Sequence, residues 1–282
     1  MDLATFSTIS EKYRVIFFDS YGVLRNHRGL IPGAVACVDR LRAEGKHLRV
    51  LTNNAARSSH AASRRLAHYG LKNIPPEEII TSGATTRQFL EQKIRTGKVA
   101  YLGTEAAAEY IIGAGLEAVP VSDVDIDHPK DIKAIAFLDD EGYDMNTDVN
   151  RVINLLRRCH VPVVVANTDL LYPVAANDVA LATGSIARLA EYVLGRKFVK
   201  FGKPAMQMFQ LAFESVSREL SNVNLSDILM VGDTLHTDIL GGNAFGVDTA
   251  LVLSGNTRQE TVETEIIASG IFPDYVCLSI GQ

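Results

Sequence analysis

The stretch Val15-Ile16-Phe17-Phe18-Asp19-Ser20-Tyr21-Gly22 decides the reading of this chain. Its first four residues are β-branched or aromatic, with no polar alternation, which reads as a strand buried on both faces. The run stops at a carboxylate. Leu48-Arg49-Val50-Leu51 is a second such run and stops at Thr52-Asn53-Asn54. A third, Ile228-Leu229-Met230-Val231, stops at Gly232-Asp233. Between the first two, Pro32 to Glu44 carries Val35, Val38 and Leu41 at helical spacing. Strand, helix, strand is the repeating unit of a mostly parallel, doubly wound α/β sheet.

The middle of the chain repeats this style independently. Val99-Ala100-Tyr101-Leu102 reads as a strand, and Thr104 to Ile112 as a helix with Thr104 at its N-cap. Ile132 to Leu138 is strand-like, and Thr147 to Arg158 is helical with Val152, Ile153, Leu155 and Leu156 on one face. Val161 to Ala166 supplies another strand, ending at Asn167-Thr168-Asp169. No repeat or low-complexity linker marks the joins. The expected boundaries fall near Thr81-Ser82-Gly83 and Thr183-Gly184-Ser185, giving a core of 1–83 with 184–282 and an inserted α/β domain of 84–183.

With 282 residues, 47% of them apolar, the chain can bury a sizeable core and needs no disulfide framework. Its three cysteines show no CxxC pairing, and Cys37 and Cys159 read as buried reduced thiols in helical stretches. The net charge of −5 argues against a nucleic-acid partner, which would call for clustered Lys and Arg. Met1 to Ser7 hold no apolar signal core and no stretch approaches a membrane-spanning length, so a cytoplasmic location with no membrane partner is expected.

In open α/β sheets ligands bind at the carboxyl ends of the strands. One carboxylate there is ordinarily a turn or helix-cap residue. Asp19, Thr52-Asn53 and Asp233 at three strand ends, with Lys203 and Asp238, form a constellation instead. Asp19-Ser20-Tyr21-Gly22-Val23-Leu24, Thr52-Asn53-Asn54, Gly202-Lys203-Pro204 and Gly232-Asp233-Thr234-Leu235-His236-Thr237-Asp238 resemble, in order and spacing, the four motifs of the haloacid dehalogenase-like (HAD) superfamily. Gly29-Leu30-Ile31-Pro32-Gly33-Ala34 and Pro273-Asp274-Tyr275-Val276 resemble its class IIA branch, whose members carry an α/β cap between the second and third motifs.

The resemblance implies a Rossmann-like core and a Mg²⁺-dependent phosphatase of a small phosphorylated metabolite, sugar phosphate-like, with Asp19 as nucleophile. It implies metal binding by Asp19, the Tyr21 carbonyl, Asp233 and Asp238, and phosphate binding by Thr52, Asn53 and Lys203. Cap residues Asp139, Asn167 and Asp169 would face substrate, although turn chemistry explains them equally well. Pairing of two chains through their caps is also implied. The physics agrees: a carboxylate about 3 Å from a phosphate dianion meets repulsion on the order of 10 kcal/mol at an effective dielectric near 20, so positive charge must be supplied on site.

Tyr21 departs from the pattern, because most phosphatases of the superfamily have a second Asp there as general acid and base. A phenol with a reference pKa of about 10 can donate a proton but is a poor base at neutral pH. Two alternatives therefore stand beside the phosphatase: a metal-independent dehalogenase-like hydrolase, whose first motif shares the Asp-x-Tyr-Gly form, and a phosphate-ligand binding protein weakened in catalysis. Gly241-Gly242 and Gly246 make no dinucleotide fingerprint, Gly202-Lys203 lacks the upstream glycine of a P-loop, and His236 has no metal-ligand spacing.

Overall fold

The computed structural model describes residues 3–175 and 178–282. Contacts divide the chain into two compact units: Met1–Thr52 with Ser59–Ile80 and Lys203–Gln282, and Asn53–Ser58 with Thr81–Gly202. Together they give an α/β fold with a parallel core sheet and a separate parallel sheet in the insert. The second crossing lies at Gly202 rather than at the expected residue 184. Helix Thr183–Leu194 buries Ile186, Ala187 and Ala190 in the insert's core, and strand Val199–Lys200 pairs in parallel with Val163–Val165.

The first unit is built on a six-stranded sheet. Its spatial order is Tyr275–Cys277, Asp248–Val252, Ile228–Gly232, Val15–Phe18, His47–Thr52, Ile79–Thr81. Val15–Phe18 lies centrally, paired in parallel with Ile228–Val231 on one side and His47–Val50 on the other. Successive side chains point to opposite faces, and both faces are covered. Ile16 and Phe18 join a cluster with Val38, Leu41 and Leu48; Val15 and Phe17 join another with Met208, Phe209 and Met230. That is why the run is continuously apolar, and truncating Phe17 or Phe18 to Ala would cost about 3–5 kcal/mol. Helix Ala34–Ala43 turns Ala34, Cys37, Val38 and Leu41 inward, while Val35, expected on that face, is exposed.

The second unit holds a five-stranded sheet ordered Val199–Lys200, Val163–Val165, Ile132–Phe137, Lys98–Leu102, Glu117–Pro120. Its alternate residues feed two clusters, Leu102, Ile135, Phe137 and Val165 on one side and Val99, Tyr101, Ala136 and Val164 on the other. Helix Glu105–Gly113 starts where Thr104 Oγ1 accepts from Ala107 N at 3.3 Å. Helix Met145–Arg158 begins two residues before the expected Thr147, because Asp144 accepts from Thr147 N at 2.6 Å and so acts as the cap. Cys159 is half-buried just past that helix rather than buried within it. A two-stranded antiparallel ribbon, Leu171–Pro173 with Val179–Leu181, projects from this unit's sequence after Asp169. Among the described residues, no helix is long and apolar enough to cross a membrane.

Candidate active site

Asp19 is the residue immediately beyond the central strand, and its N–H still donates to Val231 O at 2.8 Å, so the ladder itself aims it. The chain then curls sharply. Leu24 N and Arg25 N both donate to Ser20 O, and Gly22 N donates to Arg25 O at 2.7 Å. Gly22 adopts φ +88°, and a Cβ there would stand 2.0 Å from Asp233 Oδ2. Only glycine passes through this gap.

Asp233 ends the neighbouring strand Ile228–Gly232. Its Oδ1 accepts from Thr234 Oγ1 at 2.9 Å and its Oδ2 from Asn256 N at 2.7 Å. On the far side Gly255 closes in, where a Cβ would lie 1.8 Å from Asp233 Oδ2. Segment Leu235–Ile239 is a single π-helical turn, a geometry frequent at functional sites. That turn carries Asp238 back against its own start, so that Asp238 Oδ2 accepts from Thr234 N at 3.1 Å. Lys203, 2% exposed, hydrogen-bonds Asp19 Oδ1 and sits 2.7 Å from Asp238 Oδ1, an ion contact without hydrogen-bond alignment.

Carboxylate oxygens of Asp19, Asp233 and Asp238 thus lie within 4.8 Å of one another, all buried. Three carboxylates face one ammonium, which leaves a surplus of negative charge in a dry place. Burial, with the Asp238 charge adding and Lys203 opposing, pushes Asp19 up to about 7. Burial and the charges of Asp19 and Asp238 hold Asp233 well above the usual carboxylate range. Burial alone would depress Lys203, but Asp19 and Asp238 outweigh it and raise its pKa. Crowded hard oxygen ligands with surplus charge fit a divalent cation such as Mg²⁺.

The other expected residues are placed differently. Thr52 closes its strand half-buried. Asn53 Nδ2 donates to Asp169 Oδ1 at 2.8 Å, while Asn53 O accepts from Ser82 Oγ at 2.8 Å. Asn167 Oδ1 accepts from Asp169 N at 2.9 Å, a local turn contact. Asp139 accepts from Thr104 Oγ1 at 3.0 Å and Asp140 N at 2.9 Å. Tyr21 lies with its ring 5.0 Å from the Arg25 guanidinium carbon, and burial raises its pKa while Arg25 opposes.

Residues that the motifs did not single out are Gly255, Asn256 and Ser254, whose Oγ donates to Gly22 O at 2.6 Å. They follow the apolar run Leu251-Val252-Leu253, a strand end like the others, so a signal was there to read.

Comparison with known proteins bears on this geometry. Residues 16–117 match the family described as "Haloacid dehalogenase-like hydrolase", and residues 200–282 match a HAD-hydrolase-like family. Chronophin of Mus musculus is 30% identical over 95% of this chain and 90% of its own. This chain is a haloacid dehalogenase-like hydrolase of class IIA, within the HAD phosphatases. A solved structure described as a "possible sugar phosphatase" of this superfamily, from Cytophaga hutchinsonii, is 43% identical to this hydrolase. It matches 100% of this chain and 99% of its own with a TM-score of 0.96. The glycerol phosphate phosphatase of Mycobacterium tuberculosis, solved with magnesium, shares the hydrolase's fold at 24% identity and a TM-score of 0.75, over 99% of this chain and 78% of its own.

Proposed function

We propose that this hydrolase is a Mg²⁺-dependent phosphatase that cleaves a small phosphorylated metabolite through an aspartyl-phosphate on Asp19. The carrying observation is the buried set of Asp19, Asp233 and Asp238 around Lys203, with more negative charge than its own lysine balances. Mg²⁺ would be held by Asp19, Asp233 and the Tyr21 carbonyl, with Asp238 in support, and would neutralise phosphoryl oxygens as they approach. Asp19 attacks phosphorus, the ester P–O bond breaks, and the departing oxygen takes a proton. Water then splits the aspartyl-phosphate, releasing phosphate and the free carboxylate. Lys203 holds Asp19 in line and adds positive charge, and Thr52 and Asn53 are assigned hydrogen bonds to phosphoryl oxygens.

The inserted unit, Thr81–Gly202, is assigned the substrate-selecting role of a cap. The name carried by the Cytophaga relative supports a sugar phosphate-like substrate. Pairing through this unit is supported by Leu189, Tyr192 and Val193, which are 54%, 88% and 55% exposed along one side of helix Thr183–Leu194. Analytical ultracentrifugation of the wild type against Tyr192→Glu tests that pairing.

The dehalogenase-like alternative needs no carboxylate cluster, and the crowding of three acids speaks against it. The decisive experiment is phosphate release from a broad panel of phosphate esters with and without Mg²⁺. Release that requires Mg²⁺ is expected. Release unaffected by EDTA favours the metal-independent reading, and Mg²⁺-dependent binding with no release favours the weakened binding protein.

A further inference from the structure

The segment after strand Asp248–Val252 reaches Asp233 with more than its glycine. Asn256 engages that carboxylate by two routes. Its N–H donates directly to Asp233 Oδ2 at 2.7 Å. Its side-chain Nδ2 donates to Thr234 Oγ1 at 2.9 Å, and that hydroxyl donates to Asp233 Oδ1, also at 2.9 Å. The next residue joins them, with Thr257 N donating to Asp233 O at 3.1 Å.

The direction of this relay follows from counting protons. A threonine hydroxyl has one proton to give, and an amide NH₂ can only donate. With Asn256 Nδ2 on its oxygen, the Thr234 hydroxyl gives its proton to the carboxylate, so the Asn256 side chain sets the hydroxyl's rotation. Thr234 N meanwhile donates to Asp238 Oδ2 at 3.1 Å, which ties Thr234 to a second acid and keeps it from following a displaced Asp233. The two oxygens of Asp233 are not equivalent. Oδ2 is walled by backbone, because a Cβ at Gly22 or at Gly255 would stand 2.0 Å or 1.8 Å from it. Oδ1 meets a side-chain hydroxyl instead, and it is the oxygen that can be offered to a cation.

We propose that Thr234 and Asn256 are positioning residues that hold Asp233 to single-oxygen coordination and so make the site discriminate Mg²⁺ from Ca²⁺. Mg²⁺ asks for near-octahedral ligands at about 2.0–2.1 Å, whereas Ca²⁺ takes about six to eight oxygens, bidentate carboxylates among them, at about 2.3–2.6 Å. A carboxylate that cannot rotate suits the smaller ion and denies the larger one a second oxygen. The inference rests on the metal site of the phosphatase reading, but it needs no turnover to be tested.

Calorimetric titration of the whole, EDTA-treated chain with MgCl₂ and with CaCl₂ reads it. Asn256→Ala keeps the backbone N–H and removes only the side-chain donor of an exposed residue, so the fold is not at stake. It should weaken Mg²⁺ binding by about tenfold, the lower end of the range for lost partners of metal ligands, and leave Ca²⁺ binding within about twofold. Thr234→Val should shift the preference in the same way, and Thr234→Ser, which restores the hydroxyl, should keep it as in the wild type. Thr234→Val combined with Asn256→Ala should add little to either change alone, since both break one relay. Variants that weaken both ions alike would give the two residues a merely structural role and overturn the proposal, as would an unchanged preference. A wild-type chain that takes up no Mg²⁺ would sink the metal site and the relay together. Mg²⁺ uptake without phosphate release from p-nitrophenyl phosphate would sink the phosphatase reading alone, and the two titrations would still decide the relay.

Discussion

Two parallel sheets in this chain end their strands in acids, and the two sets of acids live differently. In the insert, Asp139 accepts from a threonine hydroxyl and from its neighbour's N–H, and Asn167 closes a turn onto Asp169. Those polar atoms are satisfied within a few residues or by the adjoining loop. In the core, Asp19, Asp233 and Asp238 are pressed to within 4.8 Å of one another, and Lys203 alone pairs with them among the described residues. The position at a strand end is the same. What marks the catalytic candidate is charge that local hydrogen bonding does not discharge.

The contrast breaks most visibly at Asp19. Asp19→Asn should lower phosphate release by about 10⁴-fold or more, on the scale seen for lost nucleophiles. The same change removes one of three crowded charges, so the metal-free variant should melt higher than the wild type in a thermal scan. A variant that keeps a substantial rate ends the assignment of Asp19.

Tyr21→Asp restores the usual second acid. It should speed hydrolysis of alkyl phosphates by about 10² if the general acid–base range applies. Steady-state rates on glycerol 3-phosphate would show this. An equal or slower rate, with the fold preserved by circular dichroism, means that the phenol is itself adapted to the natural substrate.

Gly255→Ala probes the clamp without touching a charged group. The new methyl would lie 1.8 Å from Asp233 Oδ2, so the carboxylate must move. Mg²⁺ activation curves should shift by about 10- to 100-fold, as for lost outer-shell partners of metal ligands. An unchanged curve would show that Asp233 does not need its present position.

The pH dependence separates the two sheets more gently. The folded pKa of Asp19 is raised from 3.8 to about 7, with Asp233 shifted the same way. A carboxyl raised on folding contributes stability that is fully present below about pH 4 and is lost as the pH rises through its folded value. The metal-free chain should therefore lose stability between about pH 4 and pH 7, and the melting temperature gained with Mg²⁺ should be larger at pH 8 than at pH 5. A gain independent of pH would contradict the crowded-acid picture. At the small end, Asp139→Asn should leave p-nitrophenyl phosphate turnover within about twofold, since its contacts are local ones worth roughly 1 kcal/mol. A large loss would bring Asp139 into the chemistry.

Much of this architecture was legible along the chain. Val15–Phe18 announced a doubly covered strand because every residue is large and apolar, and the motif spacing named the residues that now meet at the core strand ends. The strands Asp248–Val252 and Tyr275–Cys277 were harder to read, one beginning on Asp and Thr and the other only three residues long. Periodicity placed Val35 inward by counting apolar residues alone, whereas the smaller Ala34 and Cys37 fill that face.

The sequence by itself determined the strand-end carboxylates, their order and their kinship, because those depend on residue type and spacing. Tertiary structure alone decided how they act on one another. The surplus of charge where Asp19 meets Asp233 and Asp238, and the two glycines that admit Asp233, arise from residues distant in sequence. Electrostatic energy and steric exclusion depend on separations of a few ångströms and on the exclusion of water, and neither is written in any one segment.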